Sequence, residues 1–164
     1  MSSKVVLSID PYNDEHLRMI FDYEKENNQS SKTLKYLEDI RNKYTKEEFF
    51  IQEKTSNSIN ENLVLIENNK IKDSCYLQGE KDIKICTIFF SPTSTRSLIN
   101  GATNYSLESL GMEEVFVQVN EFEKNLKSNL EKLGFENIGN ENDKIIFLKE
   151  KEETKRSEIN HGYN

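Results

Sequence analysis

The stretch Phe89-Phe90-Ser91-Pro92-Thr93-Ser94-Thr95-Arg96-Ser97-Leu98-Ile99 decides how this chain is read. An apolar, strand-like run meets a hydroxyl-rich turn with one arginine, and a helical pattern follows. Ser and Thr are ordinary helix N-caps, because their oxygens accept from the orphan N–H groups of the first turn. A helix start directly after a strand is also where α/β sheets bind anions, through bare N–H groups and the helix dipole. The turn holds no glycine, the residue that lets a backbone approach a phosphate closely. An ordinary cap and an anion-binding loop both fit these residues.

Upstream, Leu63-Val64-Leu65-Ile66 and residues 71–78 and 83–90 read as three antiparallel strands. Glu67-Asn68-Asn69-Lys70 and Gly79-Glu80-Lys81-Asp82 supply the turns. Val5-Val6-Leu7-Ser8-Ile9 is an earlier strand closed by Asp10-Pro11. Leu17, Ile20 and Phe21 then recur at helical spacing, and Leu34, Leu37, Ile40 and Tyr44 mark a second helix. Between them, Asn27-Asn28-Gln29-Ser30-Ser31 breaks the pattern and offers N-caps. Thr45-Lys46-Glu47-Glu48 matches a capping box and predicts a short third helix over 48–53, although Phe49-Phe50-Ile51 also fits a strand. A polar loop separates it from Leu63.

Downstream, Leu98, Ile99, Ala102, Tyr105 and Leu110 predict a helix ended by Gly111. Val115-Phe116-Val117-Gln118-Val119 is the next strand, Leu126, Leu130 and Leu133 mark a helix stopped by Gly134, and Ile145-Ile146-Phe147-Leu148 is the last strand. The helix after Phe90 crosses to the strand at Val115, and such a crossover requires a parallel pair. The expected fold is therefore α/β: a mixed, mostly antiparallel central sheet with helices on both faces. Residues 1–149 make one domain, and the charged, aperiodic 150–164 read as a tail.

Composition narrows the partners. The 164 residues suit one domain with a real core, supplied largely by nine Phe and seven Tyr. A net charge of -7 disfavours long-range attraction to nucleic acid or an anionic membrane. No apolar run approaches the roughly 20 residues of a membrane helix, and the N-terminus predicts no signal peptide. Cys75 and Cys86 lie far in sequence from either histidine, so no metal site is expected, and a reduced, cytoplasmic location is the plain reading. A hairpin turning at Glu80-Lys81 would set these two cysteines opposite each other; two buried small hydrophobes are the simplest account of them.

Two stretches resemble a known family. Leu130-Glu131-Lys132-Leu133-Gly134-Phe135-Glu136 resembles the C-terminal "YEKLGFE" signature of the GNAT superfamily of acyl-CoA-dependent N-acetyltransferases. Ile85-Cys86-Thr87-Ile88-Phe89-Phe90-Ser91-Pro92 resembles that family's central strand, and the order of elements agrees from Val5 to about Lys149. The resemblance implies transfer of an acetyl group from acetyl-CoA to a small-molecule or peptide amine, directly and without an acyl-enzyme. It implies that backbone groups of Ile88 and Phe90 hold the pantetheine arm and the thioester carbonyl. It places the pyrophosphate on Thr93, Ser94, Thr95, Arg96 and Ser97. Many family members dimerise, so a homodimer is a further implied partner.

The chain departs from that pattern in three places. The family's R/Q-x-x-G-x-G/A loop has lost its glycines. Leu130 stands where the family often has a Tyr that protonates the departing thiolate. Glu123, with Asn120 and Asn125 nearby, stands where a pantetheine-contacting Asn is common. No catalytic residue is assigned; Glu67 and Asp73 are acidic candidates for a base, and His16 and His161 read as structural or exposed. The departures keep a second function in view: a GNAT-like domain that does not catalyse and serves binding, regulation or assembly.

Overall fold

The computed structural model describes residues 3–27, 29 and 31–152. Strand β1 (Lys4–Ser8) leads into helices α1 (Asp14–Glu26), α2 (Lys32–Lys43) and α3 (Lys46–Thr55). Strands β2 (Ser58–Glu67), β3 (Lys70–Glu80) and β4 (Ile85–Phe89) form a meander. Helix α4 (Arg96–Asn104) continues as a π-helical stretch, Tyr105–Ser109, and leads to β5 (Glu114–Asn120). Helix α5 (Lys124–Lys132), β6 (Glu136–Glu141) and β7 (Lys144–Glu150) close the chain.

All seven strands lie in one sheet, in the order β1-β2-β3-β4-β5-β7-β6. Every neighbouring pair is antiparallel except β4 and β5, which run parallel as the α4 crossover demands. Alternation along the strands sends side chains to two cores. On one face Leu63, Leu77, Ile88, Val117 and Phe147 pack beneath Leu98, Ile99, Leu126 and Leu130 of α4 and α5. On the other, Val64 and Ile66 meet Met19, Ile20 and Leu37 of α1 and α2. Gly101 lets α4 lie directly on β1, since a Cβ there would stand 2.3 Å from Val6 Cγ2.

Local chemistry explains the helix starts. Asn13 caps α1 by accepting from the His16 N–H, and His16 Nδ1 accepts in turn from the Asp10 N–H at 3.0 Å. His16 is thus a structural pin of the β1–α1 turn; His161 lies outside the described residues. The capping box at Thr45 is complete, each partner accepting from the other's backbone N–H at 3.1 Å. Phe49, Phe50 and Ile51 are therefore helical. Ser31 precedes α2 without a side-chain cap bond, and Asn28 and Ser30 lie outside the described residues.

Several expectations are corrected. The segment read as a polar loop before Leu63 includes the first half of β2, where pairing with residues 76–80 outweighs the weak strand propensity of Asn60, Glu61 and Asn62. Strand β6 was not expected; all of its residues are exposed, and a turn with Asn142 and Asp143 at positive φ folds it back on β7. The β3–β4 turn falls later than expected, because β3 runs on to Glu80 and the left-handed Lys84 ends the turn. That shift sets Cys86 opposite Gly79 and Cys75 opposite Leu63, so the cysteines do not face each other. β7 also runs to Glu150, the first residue of the expected tail; of that tail, 153–164 lie outside the described residues.

Candidate functional site

The parallel pair at the centre of the sheet is short. Its register joins Ile85 to Glu114, Cys86 to Val115 and Thr87 to Phe116, and stops there. Beyond it, Ile88 and Phe89 pair only with β3, and Val117 to Asn120 only with β7. The two strands diverge, leaving main-chain groups of β4 without a ladder partner on the β5 side. Such groups must find water or a ligand.

The divergence opens beside the turn from β4 into α4. Ser91 donates its N–H to Ser94 Oγ at 2.9 Å, and the Ser94 N–H returns to the Ser91 carbonyl at 3.1 Å. Ser94 is buried at 2% exposure, so its side chain builds the turn and does not face a ligand. Thr93 is exposed, its hydroxyl 3.2 Å from that of Ser91. Thr95 caps α4, its Oγ1 accepting the Leu98 N–H at 3.2 Å. The Thr95 N–H donates to Asp73 Oδ2 at 2.9 Å, and Asp73 Oδ1 accepts from the Ser74 N–H. A buried carboxylate from β3 therefore sits at the positive end of α4. Arg96 and Ser97, exposed at the first two helical positions, have N–H groups outside this network.

The structure places all of the expected cofactor-binding residues at this turn or on the strand leading into it, in different local roles. Arg96, Ser97 and Thr93 line its open side, Ser94 and Thr95 hold it together, and Ile88 and Phe90 flank the divergence. Asp73, an acidic candidate in the sequence, gives one carboxylate oxygen to the helix start and the other to the Ser74 N–H. Glu67 closes the β2–β3 hairpin opposite Lys70. Leu130 is fully buried among the α4 and α5 side chains. Glu123 accepts from the Asn120 N–H at 3.2 Å and from its side-chain amide, which fixes the β5–α5 turn.

A pocket of about 310 Å³ lies on the α1 and α2 side of the sheet at the end of β4. Tyr23, Glu24, Tyr76, Phe89, Phe90 and Ser91 are among its lining residues. Glu24 is the one carboxylate in that lining, and it is 5% exposed. Its Oε1 accepts from the Leu34 N–H at 3.1 Å, while Oε2 is shielded and has no hydrogen-bond partner among the described residues. Burial raises its pKa; the N–H groups of Leu34 and Thr33 pull it partly back. Nothing in the local sequence marks Glu24, since its surroundings come from α2 and the sheet.

The cysteines do not take part. Burial pushes the Cys86 thiol up to about 11 and raises Cys75 as well, so both are weak nucleophiles at neutral pH. Among the described residues no group of His, Cys, Asp or Glu could hold a metal ion. Nor is any described helix long and apolar enough to cross a membrane.

A mostly antiparallel sheet split at a central parallel pair, with a helix beginning at the split, is the GNAT fold, and this chain has it. Solved structures bear that out. The ribosomal-protein-S5-alanine acetyltransferase of Vibrio fischeri superposes with a TM-score of 0.64 at 13% identity, over 93% of this chain and 97% of that one. The spermidine N-acetyltransferase of Vibrio cholerae, a dodecamer, gives 0.60 at 15% identity, over 92% and 95%. The Campylobacter jejuni N-acetyltransferase PseH in complex with acetyl coenzyme A gives 0.57 at 12% identity, over 90% and 99%. No protein-family model and no curated protein matches the sequence.

Proposed function

We propose that this protein is an N-acyltransferase that moves an acetyl group from acetyl-CoA to an amine by direct transfer. The carrying observation is the divergence of β4 from β5 beyond Thr87 and Phe116. It leaves unpaired main-chain groups beside a helix start on one hand and an aromatic pocket on the other. The C. jejuni neighbour, solved with acetyl coenzyme A, supports an acyl-CoA donor.

The residues fit such a donor in part. The free N–H groups of Arg96 and Ser97 and the Arg96 guanidinium suit a pyrophosphate, whereas the Asp73 charge opposes it. Backbone N–H groups of Ile88 and Phe90 would stabilise the thioester oxygen as charge builds on it. The acceptor enters through the pocket lined by Tyr23, Tyr76 and Phe90. Its nitrogen bonds to the carbonyl carbon, the carbon–sulfur bond breaks, and CoA leaves as the thiol. Glu24, the pocket's carboxylate, takes the proton from the incoming ammonium. With Leu130 in the core, the leaving sulfur collects its proton from water, and the second proton of the amide-forming nitrogen returns to that water.

Titration calorimetry with acetyl-CoA, followed by thiol release with a panel of amines, tests this reading. Binding with acceptor-dependent thiol release supports it, and no binding at millimolar acetyl-CoA overturns it. One observation favours a second reading, a GNAT-like domain that binds or assembles without catalysis: Asp73 already supplies the anion at α4. Acetyl-CoA binding without turnover of any amine in the panel would favour that second reading.

A further inference from the structure

The end of β1 carries a second cavity, of about 400 Å³. Strand β1 stops at Ser8, opposite Leu63, and only the Ile9 N–H reaches one residue further, to the Asn62 carbonyl at 2.9 Å. Among the described residues, the first half of β2 therefore has no strand on that side, and α2 and α3 line it instead. Helix α3 lines the cavity with Lys46, Phe49, Phe50 and Glu53, at the i, i+3, i+4, i+7 spacing of a single helical stripe, with Phe49 half-buried and the others exposed at its mouth. Helix α2 contributes Tyr36, Leu37 and Ile40, and Tyr12 closes the floor, its ring 5.5 Å from that of Phe49.

We propose that this cavity, walled by the rings of Tyr12, Tyr36, Phe49 and Phe50 and by the carboxylates of Glu53 and Glu61, binds a small organic cation. Aromatic faces attract a cation through the ring quadrupole, most strongly where water is excluded. Two of the rings stay open at the mouth, Tyr36 at 50% and Phe50 at 65% exposure, which core packing does not require. Glu61 accepts the Tyr105 hydroxyl at 2.6 Å with one oxygen, and its other oxygen is shielded from solvent with no hydrogen-bond partner among the described residues.

The charges around the cavity agree. Asp10, Glu53 and Glu61 line it with Lys46 as the one cation. Burial, then the neighbouring Glu61 charge, holds the Glu53 carboxyl above its usual range, and Lys81 offsets this only in part. Lys81 spends its own ammonium on the Glu53 and Lys54 carbonyls. The acids are spread over the turn after β1, β2 and α3, and no cluster of the described residues could hold a metal ion, so the fitting occupant is an organic one. The cavity shares Asn62 with the pocket at the end of β4 but does not contain Glu24.

Calorimetric titration of the full chain with choline, and with its uncharged isostere 3,3-dimethylbutan-1-ol, tests the proposal. Choline should bind at least about tenfold more tightly than the isostere, the scale of one desolvated cation–ring contact. Glu53→Gln and Glu61→Gln should each weaken it about fivefold or more. Phe50→Ala, at an exposed ring that folding does not need, should weaken it too, whereas Glu24→Gln should leave it unchanged. Equal binding of both probes, no choline binding, or loss through Glu24→Gln alone would overturn the assignment. Acetyl-CoA is absent throughout, so the outcome is independent of acyl transfer.

Discussion

Asp73 and Thr95, one on a strand and one at a helix start, are joined by a 2.9 Å hydrogen bond from the Thr95 N–H to the Asp73 carboxylate. The bond holds a carboxylate at the start of α4, where the proposed function puts the pyrophosphate. Asp73→Asn keeps an acceptor but removes the charge. It should tighten CoA binding by roughly two- to fivefold, the worth of a charge at a helix terminus, and cost about 1 kcal/mol of stability. Calorimetry with CoA and denaturant melts measure both. Unchanged or weaker CoA binding would show that the phosphate does not use this helix start.

Arg96 separates side-chain from backbone recognition. Thr95 is extended, at φ -76 and ψ 156, the conformation that a following proline prefers, and proline is welcome at the first helical position. Arg96→Ala removes the guanidinium; Arg96→Pro removes the guanidinium and the N–H. The expected order of CoA affinity is wild type, then alanine, then proline, each step about three- to tenfold, with the melting temperature nearly constant. An alanine variant that binds as wild type would assign recognition to the backbone.

Glu24 carries a signed pH dependence. Its folded pKa lies above the ordinary value of 4.5, so ionisation costs stability in the folded state. The contribution is favourable below 4.5 and is lost as pH rises through the raised value. Glu24→Gln keeps an acceptor for the Leu34 N–H and removes the titration. Its melting temperature relative to wild type should therefore climb from pH 4 to pH 8. In acyl transfer the same variant should lose turnover most where the wild-type carboxylate is ionised. A flat stability difference would place the Glu24 pKa at its ordinary value.

The thiols should be silent in the native state. With Cys86 near 11, roughly one thiol in a thousand is ionised at pH 8, and both side chains are buried. Ellman titration should count none in buffer and two in guanidinium, matching the two cysteines of the sequence. A disulfide formed within the native monomer would contradict the register that sets Cys75 against Leu63.

Gly101 tests the packing of α4 on β1. A methyl group there meets Val6 at both Cγ2 and Cβ, on a β-branched side chain with little room to turn. Gly101→Ala should destabilise by about 1–3 kcal/mol, despite the better helix propensity of alanine. Val6→Ala in the same background should recover part of the loss.

The elements that bury apolar stripes were legible in the sequence, because burial is what their periodicity encodes. Leu63 to Ile66 and Val115 to Val119 announce themselves that way. Strand β6 does not, since Glu136 to Glu141 bury nothing and are held by backbone pairing alone. Ile83 misled in the opposite sense: it lengthened the apolar run before Ile85, yet it is 51% exposed and lies in the turn. The turn at the candidate site was legible because Ser91 to Ser97 carry its chemistry themselves. Asp73 was not, for it reaches that turn from 22 residues away. Glu24 likewise owes its desolvation to α2 and the sheet.

The brevity of the β4–β5 pairing has a mechanical side. Three residue pairs are the whole ladder between a four-stranded half, β1 to β4, and a three-stranded half, β5 to β7. Each half is laced internally by longer antiparallel ladders, so the sheet behaves as two plates with a narrow seam. With so few ladder pairs across it, the seam is where local opening breaks the least backbone pairing, and a ligand lodged there should slow exchange of the amide hydrogens along it.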